Sequence, residues 1–411
     1  MLEQRLNNSS WRTLRLINLV FFGALVCSAL GLGDQNSPDQ SASQPKSLHL
    51  PGDRAAKGSG AYTGFNSVDL QQIYVVRKKS ATRTQIARGW GKPIVVRLPD
   101  GELIASQYKD LHENRNQNYP DAVEEAALCR SQDEGITWSS PKLLGIPGRV
   151  SQFSVLRNQT LILAIEEPGR LFRSTDRGAT WRRCDITWAA STEPGLRRDF
   201  IFGETSGVVE MPGETLLFSA YVSLGPGKTR SYLLRSKDDG RTWDEGSFVA
   251  NASEISYVVL PNSKLLGVAR VANNETGEGG ASLAITESQN SGHSWTRLRH
   301  MGLGQAQIPG FPIYLRDGRL LLIYGNRQFP FGVQAIASKD EGKTWEIDHP
   351  IFLSWFSWDH YCGHPRSLVM PDGSLLTAYY TRMFRESRTP NKDIVSHVVR
   401  WRVPSDWPPL P

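Results

Sequence analysis

Five copies of one octapeptide recur along the chain: SQDEGITW at 131–138, STDRGATW at 174–181, SKDDGRTW at 236–243, SQNSGHSW at 288–295 and SKDEGKTW at 338–345. A unit that returns every roughly 40 to 60 residues with the same turn chemistry means stacked supersecondary repeats, not one irregular core. Each copy reads as a hairpin turn. Ser and Asp offer oxygens to backbone amides, Gly takes a positive-φ position, Thr opens the next strand and Trp supplies a large apolar plug. The Asp position holds Asp133, Asp176, Asp238 and Asp340, with Asn290 in the fourth copy, where an amide oxygen makes the same bonds. Turns spread around a ring do not converge on one point, so these carboxylates read as structural staples.

Upstream of each octapeptide lies a second echo, in which a short apolar strand, a turn and another apolar strand follow one another. The copies are PIVVRLPDGELIAS (93–106), SQFSVLRNQTLILAI (151–165), SGVVEMPGETLLFSAY (206–221), ISYVVLPNSKLLGVAR (255–270), FPIYLRDGRLLLIYG (311–325) and HPRSLVMPDGSLLTAYY (364–380). Each unit continues through a variable loop into a third strand that ends at the octapeptide, and a fourth strand follows. Four antiparallel strands repeated six times predict an all-β chain folded as a six-bladed β-propeller. The sixth unit has no octapeptide, and its third strand, HVVRWRV (397–403), runs almost to the chain end. Its outer strand must come from elsewhere. The alternating segment LQQIYVVRK (70–78) precedes the first unit and is expected to close the ring, which removes an open sheet edge.

The propeller is expected over 67–411 as one domain. Residues 34–66 are polar and rich in Ser, Pro, Gln and Gly, a linker expected to be disordered. Before it, Arg5, Arg12 and Arg15 precede an 18-residue apolar run (16–33) that ends in small residues. This is the pattern of a secretory signal over 1–33, with an uncleaved membrane anchor as the rival reading. A secreted or periplasmic location follows. Removing residues 1–33 takes away three Arg and one Glu and lowers the formal net charge from +6 to +4. That mild excess suits anionic substrates and gives no reason to expect nucleic acid, since no basic run with interleaved aromatics occurs. Cys129, Cys184 and Cys362 remain after processing; an odd number without metal spacing reads as buried thiols. No metal or other cofactor is expected, and nothing in the sequence calls for an oligomer, so a monomer is expected.

The octapeptides, which are Asp boxes, together with six blades resemble the sialidase (neuraminidase) superfamily, in the branch of bacterial BNR-repeat glycosyl hydrolases, from about residue 70 to 403. The resemblance implies a site at the blade centre in which three arginines hold a sugar carboxylate, an Asp protonates the leaving oxygen, and a Tyr activated by a Glu attacks the anomeric carbon. In NASEISYVVLPNSKLLGVAR (251–270), Glu254 and Arg270 fall on the family's Glu and second Arg, and in GRLLLIYGNRQFPFGVQ (318–334), Arg327 falls on its third. Asp121, in the long first-unit loop, matches the acid/base, with Asp110 and Glu113 as competitors. Two positions depart. Gly91 stands where the family has its first Arg, leaving Arg88 or Lys92 to compensate, and His364 stands at the nucleophile's place, with Tyr361 three residues earlier as a substitute.

The resemblance therefore implies a secreted exo-acting glycoside hydrolase that releases a terminal acidic sugar, sialic acid, from a glycan or glycoconjugate. The departures keep two alternatives open. In a uronate-directed polysaccharide lyase, His364 or Tyr361 would abstract the C5 proton while arginines neutralise the carboxylate. A non-catalytic glycan-binding propeller would use the same mouth for recognition alone.

Overall fold

The computed structural model describes residues 74–75, 81–110, 124–166, 169–186, 200–225, 228–243, 246–272, 281–304, 307–355, 357–382, 394–405 and 407. They form six blade sheets of the propeller type and one two-stranded parallel pair, Asp185–Ile186 with Thr242–Trp243, and the one helical element among them is a single 3₁₀ turn, Pro261–Ser263. Blade one shows the plan: Trp90–Arg97, Leu103–Asp110, Glu124–Ser131 and Lys142–Pro147 pair in that order from the innermost strand outward. Blades two to five repeat it through residues 150–183, 200–250, 253–300 and 307–354, and blade six starts at Gly363–Val369. Apolar faces of neighbouring blades pack on one another, so the middle strands are buried on both sides; Leu161–Ile165 and Leu320–Asn326 are buried throughout.

The octapeptides form the expected turns. In the first, Ser131 Oγ donates to Asp133 Oδ1 at 2.8 Å and accepts from the Gly135 amide at 2.9 Å, while the Thr137 amide and hydroxyl donate to the two Asp133 oxygens. Asn290 Oδ1 accepts from the matching Ser294 backbone amide at 2.9 Å, and Asn290 Nδ2 donates to the Ser294 hydroxyl at 2.9 Å. Two consecutive residues take positive φ in every copy, as in Glu134 (58°) and Gly135 (90°), so the turn twists in the sense the flanking strands need. The second of the pair must be Gly for a further reason. A Cβ on Gly292 would lie 2.4 Å from Leu233 Cδ2, and one on Gly342 2.5 Å from Leu266 Cδ1, side chains of the preceding blade. Each turn thus clips one blade to the one before it. Cys129, Cys184 and Cys362 are buried free thiols, and burial pushes each up to about 12.

Ring closure differs from the expectation. The outer strand of blade six is Ala81–Arg88, antiparallel to Ile394–Trp401, whereas Tyr74–Val75 pairs in parallel with the outer strand of blade five at Ile351 and Phe352. The reason is connectivity. An outer strand passes straight into the next blade's innermost strand, as Pro147 reaches Val150 through Gly148 (φ 111°). The residues that precede Trp90 through Gly89 (φ 75°) must therefore end the ring, and the stronger alternation of 70–78 does not move them. No helix among the described residues is long and apolar enough to cross a membrane, and 1–66 lies outside them.

Candidate active site

The innermost strands break pattern at one end. In blade one, Gly91 pairs Tyr108 but Ile94 pairs Ser106; in blade four, Ser253 pairs Arg270 but Ser256 pairs Val268; in blade six, Gly363 pairs Tyr380 but Arg366 pairs Ala378. At each break the first extra residue is a buried polar side chain with positive φ: Lys92 (44°), Glu254 (41°) and His364 (48°). Such a conformation costs a non-glycine residue on the order of 1 to 2 kcal/mol, and bulges of this kind re-aim side chains. Pro93 and Pro365 follow in two of them, where no ladder amide is required. In blade three the innermost strand is split outright, into Phe200–Ile201 and Val209–Glu210, and Glu204 stands in the gap, 2% exposed.

These side chains join across the ring. The Glu204 carboxylate contacts the Lys92 ammonium through Oε1 and the His364 Nδ1 through Oε2. On the far side of the imidazole, Arg327 Nη2 lies 2.8 Å from Nε2, and Arg327 Nε donates to the Cys362 carbonyl at 3.3 Å. Glu254 is reached from the other flank of Glu204. A Cβ on Gly203 would lie 2.8 Å from Glu254 Cγ, and Glu254 Oε2 accepts from Arg270 Nη1 at 2.9 Å. Arg270 is held charged chiefly by Glu254. Burial holds His364 well below the usual histidine range, and the charges of Lys92, Arg366 and Arg149 add to it. The imidazole is therefore neutral. A guanidinium only donates, so Nε2 accepts and Nδ1 carries the proton that faces Glu204.

Three tyrosines crowd the same mouth. Tyr380 stands 5.6 Å from the His364 ring and 5.3 Å from that of Tyr361, centroid to centroid, and the Arg382 guanidinium lies 4.5 Å over Tyr361. Tyr108 covers Gly91 so closely that a Cβ there would meet its Cζ at 2.5 Å. Arg149 lies 5.3 Å over Tyr108 and is paired to Glu124 at 2.8 Å and Glu166 at 3.2 Å. Burial raises Tyr108 and Tyr380 well above the usual phenol range, so both hold their protons. Below them Arg366 is buried, 5.6 Å over Phe311; burial brings it down to about 10, opposed by the charge of Glu254.

Residues 168–329 match the BNR repeat-like domain family, and solved propellers share the fold. The chain is a six-bladed β-propeller with a BNR repeat-like match over part of its length. A protein of unknown function from Dyadobacter fermentans superposes with a TM-score of 0.62 at 21% identity, over 79% of this chain and 99% of that one. A Trypanosoma rangeli sialidase in complex with sialic acid gives 0.56 at 13% identity, over 80% and 60% of the two chains. A Penicillium chrysogenum alpha-L-arabinanase complexed with arabinobiose gives 0.56 at 15%, over 78% and 98%. No curated protein sequence matches. At these identities the likeness shows the fold.

On this propeller the residues singled out from sequence separate clearly. Glu254 and Arg270 form a bonded pair, and Arg327 and His364 form another. Tyr361, three residues before His364, lies beside Tyr380. Arg88 ends the outer strand of blade six and is exposed, the turn at Gly89 separates it from the innermost strand, and Lys92 is the cation beside Gly91 that contacts Glu204. Asp121 and Glu113 lie outside the described residues, and Asp110 ends the second strand of blade one. Sequence reading missed Glu204, Arg149, Arg366 and the two buried tyrosines. The one signal for Glu204 was GETSG (203–207), a short polar stretch between two strands that no turn motif explains.

Proposed function

We propose that the protein is an exported, exo-acting glycoside hydrolase of the sialidase type, which removes a terminal acidic sugar from a glycan. The observation that carries the proposal is the pair of guanidiniums on blades four and five, each anchored by a buried partner: Arg270 by Glu254 and Arg327 by His364. Guanidiniums pinned in this way are preorganised for a planar carboxylate, and Lys92 adds a third cation in the place of the family's first arginine. The fold's likeness to a sialidase and to an arabinanase supports a glycan substrate.

In this reading Tyr361 is the nucleophile. It is the half-buried member of the tyrosine cluster, while Tyr108 and Tyr380 hold their protons and both nitrogens of His364 are engaged. The Tyr361 oxygen bonds the anomeric carbon as the glycosidic C–O bond breaks, its phenol proton passes to the carboxylate that the resemblance assigns to this role, Glu254, and the leaving oxygen takes a proton from Asp121. Water then displaces Tyr361 with Asp121 as base, and configuration is retained.

One observation favours a second reading. His364 Nε2 is an acceptor beside Arg327, so a uronate carboxylate that drew Arg327 away would leave a base next to a charge neutraliser, as β-elimination requires. The deciding experiment is release of 4-methylumbelliferone from its α-N-acetylneuraminide by the purified full-length protein. Turnover is expected, and its loss in Glu254→Gln and in Arg327→Ala, the latter with Tm lowered by no more than about 2 °C. No turnover by folded protein refutes sialic acid as the substrate, and an unsaturated product from uronate-containing glycans would establish the second reading.

A further inference from the structure

We propose that Glu204 is a positioning residue of this site: through His364 it sets the orientation of the Arg327 guanidinium, so that a chain of carboxylate, imidazole and guanidinium runs from blade three through blade six to blade five. The inference rests on the reading in which Arg327 receives the substrate carboxylate, and says what holds that arginine ready.

The chain is built, not incidental. Glu204 is 2% exposed and stands where blade three gives up its ladder, between Phe200–Ile201 and Val209–Glu210. A carboxylate there is tolerable only with partners, and it has two, Lys92 on one oxygen and His364 on the other. Its segment is fixed from behind, because Gln152 Nε2 donates to the Gly203 carbonyl at 2.6 Å and Gly203 has no room for a side chain against Glu254 and Tyr221. His364, 6% exposed, is aimed by its bulge at φ 48° and backed by the Tyr380 ring. Nε2 is the atom Arg327 meets at 2.8 Å, and Nδ1, against the Glu204 carboxylate, is left to carry the proton. Without Glu204 only Arg327 favours this tautomer, and the ring loses the carboxylate that holds its orientation and, through it, that of Arg327. The logic is that of a second carboxylate behind a functional histidine, with an arginine in the place where a metal or nucleophile more often stands.

The charged and titratable groups around the imidazole are Glu204, Lys92, Arg327, Arg366, Arg149 and Tyr380, from blades three, one, five, six, two and six, with Arg149 leading into the second blade. Long-range proton–nitrogen correlation spectra of the full-length protein with ¹⁵N-labelled histidine, assigned with His364→Gln, report which ring nitrogen carries the proton. The expected spectrum is a neutral imidazole protonated at Nδ1; protonation at Nε2 overturns the chain. Glu204→Ala is expected to lose the fixed tautomer and to raise KM for the sialoside by about tenfold or more with a smaller change in kcat, the size expected for one lost charged hydrogen bond. Glu204→Gln, which keeps an acceptor, is expected to recover part of that KM. A folded Glu204→Ala with the native spectrum and KM overturns the proposal, and if that variant fails to fold, the wild-type tautomer and Glu204→Gln decide it. If the wild type turns over no sialoside, the substrate reading falls while the tautomer still decides whether Glu204 holds the imidazole.

Discussion

Trp243→Ala tests whether the octapeptide turns are staples between blades. Trp243 is 0% exposed and packs in the cluster shared by blades two and three, with Phe218 at 5.5 Å and Ile162, Phe202, Leu216 and Leu234 around it. Its strand, Thr242–Trp243, also pairs in parallel with Asp185–Ile186 of the chain that leaves blade two. Truncation removes a large ring from a site the two blades cannot close over, and such changes cost about 3 to 5 kcal/mol. Between Ala81 and Trp407, about 330 residues, the entropy of unfolding is about 0.7 kcal/mol/K, so Tm is expected to fall by about 4 to 7 °C. The assay is thermal unfolding followed by near-ultraviolet circular dichroism, beside Trp138→Ala. Trp138 is only half-buried and gives its indole N–H to the Gly135 carbonyl at 3.1 Å, so its loss is expected to be smaller. A loss below about 1 kcal/mol for Trp243→Ala, or equal losses for the two, would refute the view that burial of the box tryptophan ties neighbouring blades together.

Two further outcomes follow from individual side chains. Gly91→Ala puts a Cβ 2.5 Å from Tyr108 Cζ and is expected to cost about 1 to 3 kcal/mol, read as a Tm lower by about 1 to 4 °C; an unchanged Tm would mean the tyrosine gives way freely. His397, stacked on Tyr379 at 5.3 Å, is brought down to about 4, by burial first and by the charge of Arg83 second. A base depressed in the folded state protonates first in the unfolded chain, so its contribution is complete above about pH 6.5 and is lost as pH falls toward 4. The loss is at most about 3 kcal/mol. Denaturant unfolding of wild type and His397→Gln across that window should therefore converge in stability toward acid pH, and parallel curves would contradict the assignment.

Much of the architecture is legible because hairpins are local. Ser131, Asp133, Gly135 and Thr137 satisfy one another within seven residues, and each later copy does the same, so the repeat and the blade count are written in the order of residues. Glu254 and Arg270 were legible for the same reason, since adjacent antiparallel strands bring their ends together. Ring closure was half legible. A missing outer strand could be inferred from the sixth unit, but which upstream segment supplies it depended on the connection at Gly89, not on alternation.

What the sequence alone determined is the six hairpin-built blades and some of the charged residues at their ends, Glu254, Arg270 and Arg327 among them. What the tertiary structure decided is which of those charges meet. Lys92 and Glu204 are 112 residues apart, and Arg327 and His364 lie on different blades. They come together because ring closure gathers all the innermost strands at one axis and because bulges at Lys92, Glu254 and His364 turn side chains inward. A bulge is a departure from the strand's own period, and closure is a property of the whole ring, so neither leaves a signature in any local stretch of residues.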